Sequence, residues 1–153
     1  MRQLLSLAAL IPLAAACGTE HGHGDDEEEV DCAKENADTF TAGLAKQGTV
    51  LGVKLMTANP APPNRGDNEW VIHVNTVSGA APVSGATIEV TPFMPKHQHG
   101  TPVDAEVVPG ATAGEYTLKK VNLWMPGVWE TTIEMTSTAG TDSVVYRFCI
   151  PSG

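Results

Sequence analysis

The sequence predicts an all-β protein: a seven-stranded, immunoglobulin-like antiparallel sandwich preceded by a short helix. Three observations carry this reading. From Thr49 onward, short runs rich in Val, Ile, Thr and aromatic residues alternate apolar with polar positions. Gly, Pro, Asn or Ser flank each run. A chain of 153 residues suits one domain, in which each of two sheets buries one face and leaves the other wet.

Residues 1–16 have the pattern of a secretory signal peptide: an early charge at Arg2, an apolar run, then small residues. The run is shorter than the roughly 20 apolar residues that a membrane-spanning helix needs. Cys17 directly follows "LAAA" and fits a bacterial lipobox, although Ala14 stands where Leu is usual and Leu13 sits one place earlier. The motif implies cleavage before Cys17 and a lipid on its thiol; the alternative is simple secretion, with Cys17 inside a discarded leader. Residues 17–31 form an acidic tether that carries His21 and His23, with "DDEEE" at 25–29, and it has too little apolar surface to order itself. Its "HGHG" is either a loose metal collector or solvated linker.

The sandwich domain is expected over residues 32–153. Ala33, Ala37, Phe40 and Leu44 recur at spacings of three and four, predicting a short helix over 32–48 that Gly48 ends. Strands follow at 49–57, 70–77, 86–92, 103–108, 114–121, 127–137 and 142–150. In the second, Trp70, Ile72, Val74 and Thr76 share a face opposite His73 and Asn75. In the third, Ala86, Ile88 and Val90 oppose Thr87 and Glu89; in the sixth, Trp129, Thr131, Ile133 and Met135 oppose Glu130, Thr132 and Glu134. Met56 and Met135 read as core.

There are three cysteines. With Cys17 lipidated or removed, Cys32 and Cys149 remain in an oxidising compartment, where they form either a disulfide or a pair of metal-binding thiols. Their wide separation favours the disulfide, which the chain-entropy model credits with roughly 4–5 kcal/mol. The net charge of −9 argues against nucleic acid or anionic lipid as a partner.

If successive strands alternate in direction, the connections at 58–69, 93–101 and 122–127 fall at one end of the sandwich. The second reads "FMPKHQHGT" and carries Met94, His97 and His99; the third carries Met125. Two imidazoles and two thioethers on one rim make a soft donor set that suits copper. Zinc in structural sites prefers Cys and His in sets of four, and calcium and magnesium want oxygen ligands. His97 and His99 point the same way if their segment is extended. The bland alternative makes Met94 and Met125 gap-filling core residues, His97 and His99 a polar loop, and His73 a surface histidine. Trp124 and Trp129 pack the sandwich end or shield a copper(I) ion by cation–π contact.

The run "PVSGATIEV" leading to "MPKHQHG", then "GEYTL" and "MPGVWE", resembles the YtkA-like domain family, which is related to the FixH proteins; the likeness spans residues 50–150. The family's Met-Pro and His positions fall on Met94, Pro95, His97 and His99, and its later Met-Pro-Gly-x-Trp on residues 125–129. FixH-type proteins are associated with assembly of copper-containing respiratory oxidases. The resemblance therefore implies a copper-related task and a copper-receiving partner. This chain departs from FixH in placing a lipid where a transmembrane anchor would be.

No Ser-His-Asp arrangement, catalytic carboxylate pair, phosphate-binding glycine loop or open zinc triad is recognisable, and Ser78 and Ser84 lie in turns without a base; no enzyme is expected. The sequence thus predicts a monomeric lipoprotein of the bacterial cell envelope, held to the membrane only through the lipid on Cys17. It binds copper for buffering or delivery, or, in the rival reading, docks another envelope protein without metal. Replacing Cys17 by Ser is expected to abolish incorporation of labelled palmitate and move the chain from the membrane to the soluble fraction. Label retained by the variant would remove the lipobox reading.

Overall fold

The computed structural model describes residues 29–152. The expected signal peptide, Cys17 and the tether's His21 and His23 lie outside the described residues. Among the described residues nine strands follow one another: β1 (Leu44–Gln47), β2 (Leu51–Asn59), β3 (Gly66–Thr76), β4 (Thr87–Met94), β5 (His99–Gly100), β6 (Glu106–Pro109), β7 (Glu115–Leu123), β8 (Gly127–Ser137) and β9 (Gly140–Ile150). They form two antiparallel sheets, ordered β1-β2-β3-β7-β6 and β5-β4-β8-β9. The two-sheet sandwich is as the alternation predicts. The seven expected strands correspond to β2, β3, β4, β6, β7, β8 and β9; β1 and β5 are additions, too short to show a period of two in the sequence. Among the described residues, no helix is long and apolar enough to cross a membrane.

Alternation converts directly into the core. Trp70, Ile72 and Val74 of β3, Leu51, Val53 and Leu55 of β2, and Trp129, Ile133 and Met135 of β8 are all buried. Trp70 of the first sheet meets Phe148 and Tyr146 of the second edge-on, with ring centroids 5.5 and 6.2 Å apart. Such pairs contribute about 0.5–1.5 kcal/mol beyond the area they bury. The Tyr146 hydroxyl donates towards the carbonyls of Leu44 and Val53, 3.0 Å from each, so it ties β9 to β1 and β2 across the sandwich. Burial, the largest cause, pushes the Tyr146 phenol well above its usual pKa.

The predicted helix over 32–48 is absent. Residues 32–34 make a turn, the chain then runs on without helical structure, and it enters β1 at Leu44. Tertiary contacts override a weak local period. Cys32 is bonded to Cys149, with Cα atoms 5.6 Å apart, which pins the segment beside β9. Asp38 N donates to the Arg147 carbonyl at 2.6 Å, and Arg147 N donates back to the Asp38 carboxylate at 2.8 Å. Lys46 completes the arrangement with a 2.6 Å bridge to Asp38. Phe40, expected on a helix face, instead packs edge-on against Phe148. Met56 also departs from expectation: a register shift between Leu55 and Thr57 turns it outward, and it is 42% exposed.

The long proline-rich connection between β2 and β3 is organised by one side chain. Asn68, buried beside a bulge in β3, accepts from Asn64 N and donates to the carbonyls of Asn64 and Gly66 and, at 3.2 Å, of Val121. A buried amide with its bonds satisfied fixes a loop that has no ladder of its own.

At the opposite end, the Asp142 carboxylate accepts from Val50 N at 2.7 Å and Leu51 N at 3.1 Å, and a Cβ on Gly48 would collide with it. These backbone donors, Val50 first, hold its pKa below the ordinary 3.8. A depressed carboxylate contributes stability that is fully present above its unfolded pKa and lost as pH falls through the lower folded value. Asp142→Ala should therefore lower stability at neutral pH and flatten the acid limb of the stability profile below 3.8, measured by urea unfolding across pH. An unchanged acid limb would show that the carboxylate does not hold the β1–β2 turn.

Candidate functional site

The three connections expected at one end meet there. Asn122 Nδ2 donates to the Asp67 carboxylate at 2.6 Å, and the Thr101 hydroxyl donates to Asn122 Oδ1 at 2.8 Å. Arg65 Nε donates to the Trp124 carbonyl at 2.9 Å, and Trp124 Nε1 reaches the Gly100 carbonyl at 3.5 Å, the outer limit for such a bond. The rim is thus cross-linked by side chains from all three loops.

Met94 and His99 are direct partners across the β4–β5 hairpin. Between them, the Met94 carbonyl accepts from His97 N at 3.2 Å and Gln98 N at 2.9 Å, and the Gln98 side chain bonds the Pro95 carbonyl. Gln98 sits at φ 55°, so the segment is a turn and not the extended run that would aim both imidazoles one way. The turn nevertheless leaves the His97 and His99 rings 5.8 Å apart, centroid to centroid. Two imidazoles bound to one ion through bonds of about 2 Å place their centroids roughly 5–6 Å apart, so the spacing suits a shared ion.

His99 stacks on Trp124 at 5.2 Å and meets Trp129 edge-on at 6.1 Å. Its Nδ1 lies 2.9 Å from the Gly100 carbonyl. A carbonyl only accepts, so Nδ1 carries a hydrogen, and Nε2 is the nitrogen that a ligand would approach. His97 stands exposed at the hairpin tip.

Met94 is fully buried and Met125 partly buried, yet both line one cavity of about 80 Å³ with His97, Lys96, Glu35 and Val30. One water needs about 10–15 Å³ of such space, so the cavity has room for an ion together with water. Met125 is anchored through its backbone, where its carbonyl accepts from Trp129 Nε1 at 3.0 Å. Met94 is held by close packing: a Cβ on Gly127 would lie 3.0 Å from its methyl. Both methionines thus pack against the core and also line the cavity.

Among the described residues, no three of His, Cys, Asp and Glu converge in a way that could hold a metal. A site at this rim would need the thioethers to complete its donor set. His73 takes no part: its Nε2 lies 3.0 Å from the Ala113 carbonyl. Cys32 and Cys149 are consumed by their disulfide. Ser84 accepts a hydrogen bond from Gly114 N.

Sequence reasoning missed Val30 and Glu35 as cavity wall. The signal was the cysteine pair. Cys149 is the cross-strand partner of Val128, itself on the lining, so a bridge to Cys32 brings the chain on either side of Cys32 to the cavity.

Fold and site together define a small two-sheet sandwich domain with a cavity built from loops at one end. A family model for YtkA-like domains matches residues 45–134, more than half of the chain, and the chain belongs to the YtkA-like family. The matched region contains the β4–β5 hairpin and the Met125 loop. No curated protein and no solved structure matches the chain.

Gly127 has φ 124°, which L side chains rarely adopt, and it abuts Met94. Gly127→Ala is expected to cost about 1–3 kcal/mol through backbone strain and crowding, read from urea unfolding. Unaltered stability would mean that Met94 has room to move, and the close fit ascribed to it would be wrong.

Proposed function

We propose that this YtkA-like sandwich binds one copper ion at its rim, with Met94, His97, His99 and Met125 as donors, and buffers or delivers it in the bacterial cell envelope. One observation carries the reading: two thioethers and an imidazole line the same small cavity, with a second imidazole in ring contact with the first. Thioethers select copper(I), and imidazole serves both oxidation states. The set contains no thiol, which suits a compartment where thiols are lost to disulfides. Trp124, stacked on His99 and 40% exposed, covers one side and adds a cation–π contact to a bound cation. The role is binding and transfer to a copper-receiving envelope protein, not catalysis, and a lipid on Cys17 keeps the chain at the membrane.

Titration of the full chain with copper(I) against a competing chelator tests this. The expected result is one equivalent bound, with affinity at least tenfold weaker in His97→Ala/Met125→Leu. Leucine conserves the packing volume of Met125, so an unfolding curve close to wild type separates lost ligands from lost fold. Binding no tighter than the chelator, or equal affinity in the double variant, would refute the rim site.

A further inference from the structure

The two edges of the second sheet are treated differently. The β9 edge is covered by the segment that Cys32 anchors, through the paired backbone and carboxylate bonds between Asp38 and Arg147. The β4 edge is not. β5 pairs only with Phe93 and Met94, and Pro92 has no N–H to offer, so the free edge is residues 87–91, which have β8 on one side and, among the described residues, no strand on the other. This open edge borders a groove of about 410 Å³, closed on its far side by the segment that crosses to β6.

An open strand edge presents alternating N–H and C=O groups, and the occupant that satisfies them is another extended strand. Five residues of edge span roughly 17 Å, about the length of an average strand. The inner side of the groove offers Ile88, Val90 and Val107, all only partly buried although packed against the core. The rim offers Glu89 and Asp104, both exposed. Glu89 also faces Glu134 directly across the β4–β8 ladder, a like-charge pair that costs stability until a cation comes between.

These features define the partner's chemistry. We propose that the outer edge of β4 is a docking strand for an extended segment of a partner protein that alternates β-branched apolar with basic residues. Its apolar side chains enter beside Ile88 and Val90, and its basic ones reach Glu89 and Asp104. A second copy of this chain fits less well, since β4 against β4 brings two acidic rims together, and the register centred on Glu89 sets it against its own equivalent. The chain's own acidic run at 25–29 has the same sign as the rim. The proposal does not depend on copper.

The test uses the full chain without metal and a blocked hexapeptide alternating Val and Lys, followed by amide chemical shifts and hydrogen exchange. Saturable binding is expected, with shifts and new protection concentrated at residues 87–91. Affinity should fall at least tenfold in Glu89→Lys/Asp104→Lys and fall with added salt, and His97→Ala/Met125→Leu should leave it unchanged. A counterpart alternating Val and Glu should not bind. The proposal is overturned by no saturation up to millimolar peptide, by shifts confined to other strands, by equal binding of the Glu peptide, or by a concentration-dependent dimer that protects the same amides.

Discussion

The sheets share no ladder, so everything at the rim depends on the side chains that lock one sheet on the other. Trp70 meeting Phe148 and Tyr146 edge-on is the centre of that lock, and the Tyr146 hydroxyl extends it to the backbone of β1 and β2. Aromatic packing sets the separation and the hydroxyl sets the slide, because a phenol bonded to two fixed carbonyls tolerates little translation. Loops from both sheets can then meet in fixed relation: Asp67 and Asn122 come from the first, and Thr101 follows directly on β5 of the second.

The disulfide acts within this frame as a fastening for the segment before β1, which has no strand of its own. Between Cys32 and β1 the chain lies along β9 through Asp38 and places Phe40 on Phe148. By covering that edge, it makes the second sheet asymmetric and also supplies a wall of the rim cavity. One covalent bond thus determines which edge is sealed and where the cavity ends.

The strands were legible because period-two alternation reports a face directly, and Trp129, Ile133 and Met135 needed nothing more than their spacing. Placing loops at a common end followed from alternating strand direction, which the antiparallel ladders obey. The helix misread had a different cause: Ala33, Ala37, Phe40 and Leu44 satisfy a helical period by chance, while what orders them is Arg147 and Cys149, more than a hundred residues away. The orientation of His99 was hidden for a similar reason. Its ring is set by Trp124 and Trp129 and by the turn at Gln98, none of which a local pattern contains. Met56 escaped because a bulge shifts parity without changing composition.

The cavity's wall is drawn from three distant stretches of the described chain: Val30 and Glu35 near its start, Met94, Lys96 and His97 in the middle, and Met125 to Val128, the last paired with Cys149 of β9. No contiguous stretch encloses it. The consequence is one of order in time. The cavity cannot exist until β9 has emerged, because its first wall must wait for β9 to be present and paired. In a fold built of pairings distant in sequence, that wait is a folding-limited interval of roughly milliseconds to seconds. The loop motif alone does not make the enclosure; the finished fold does.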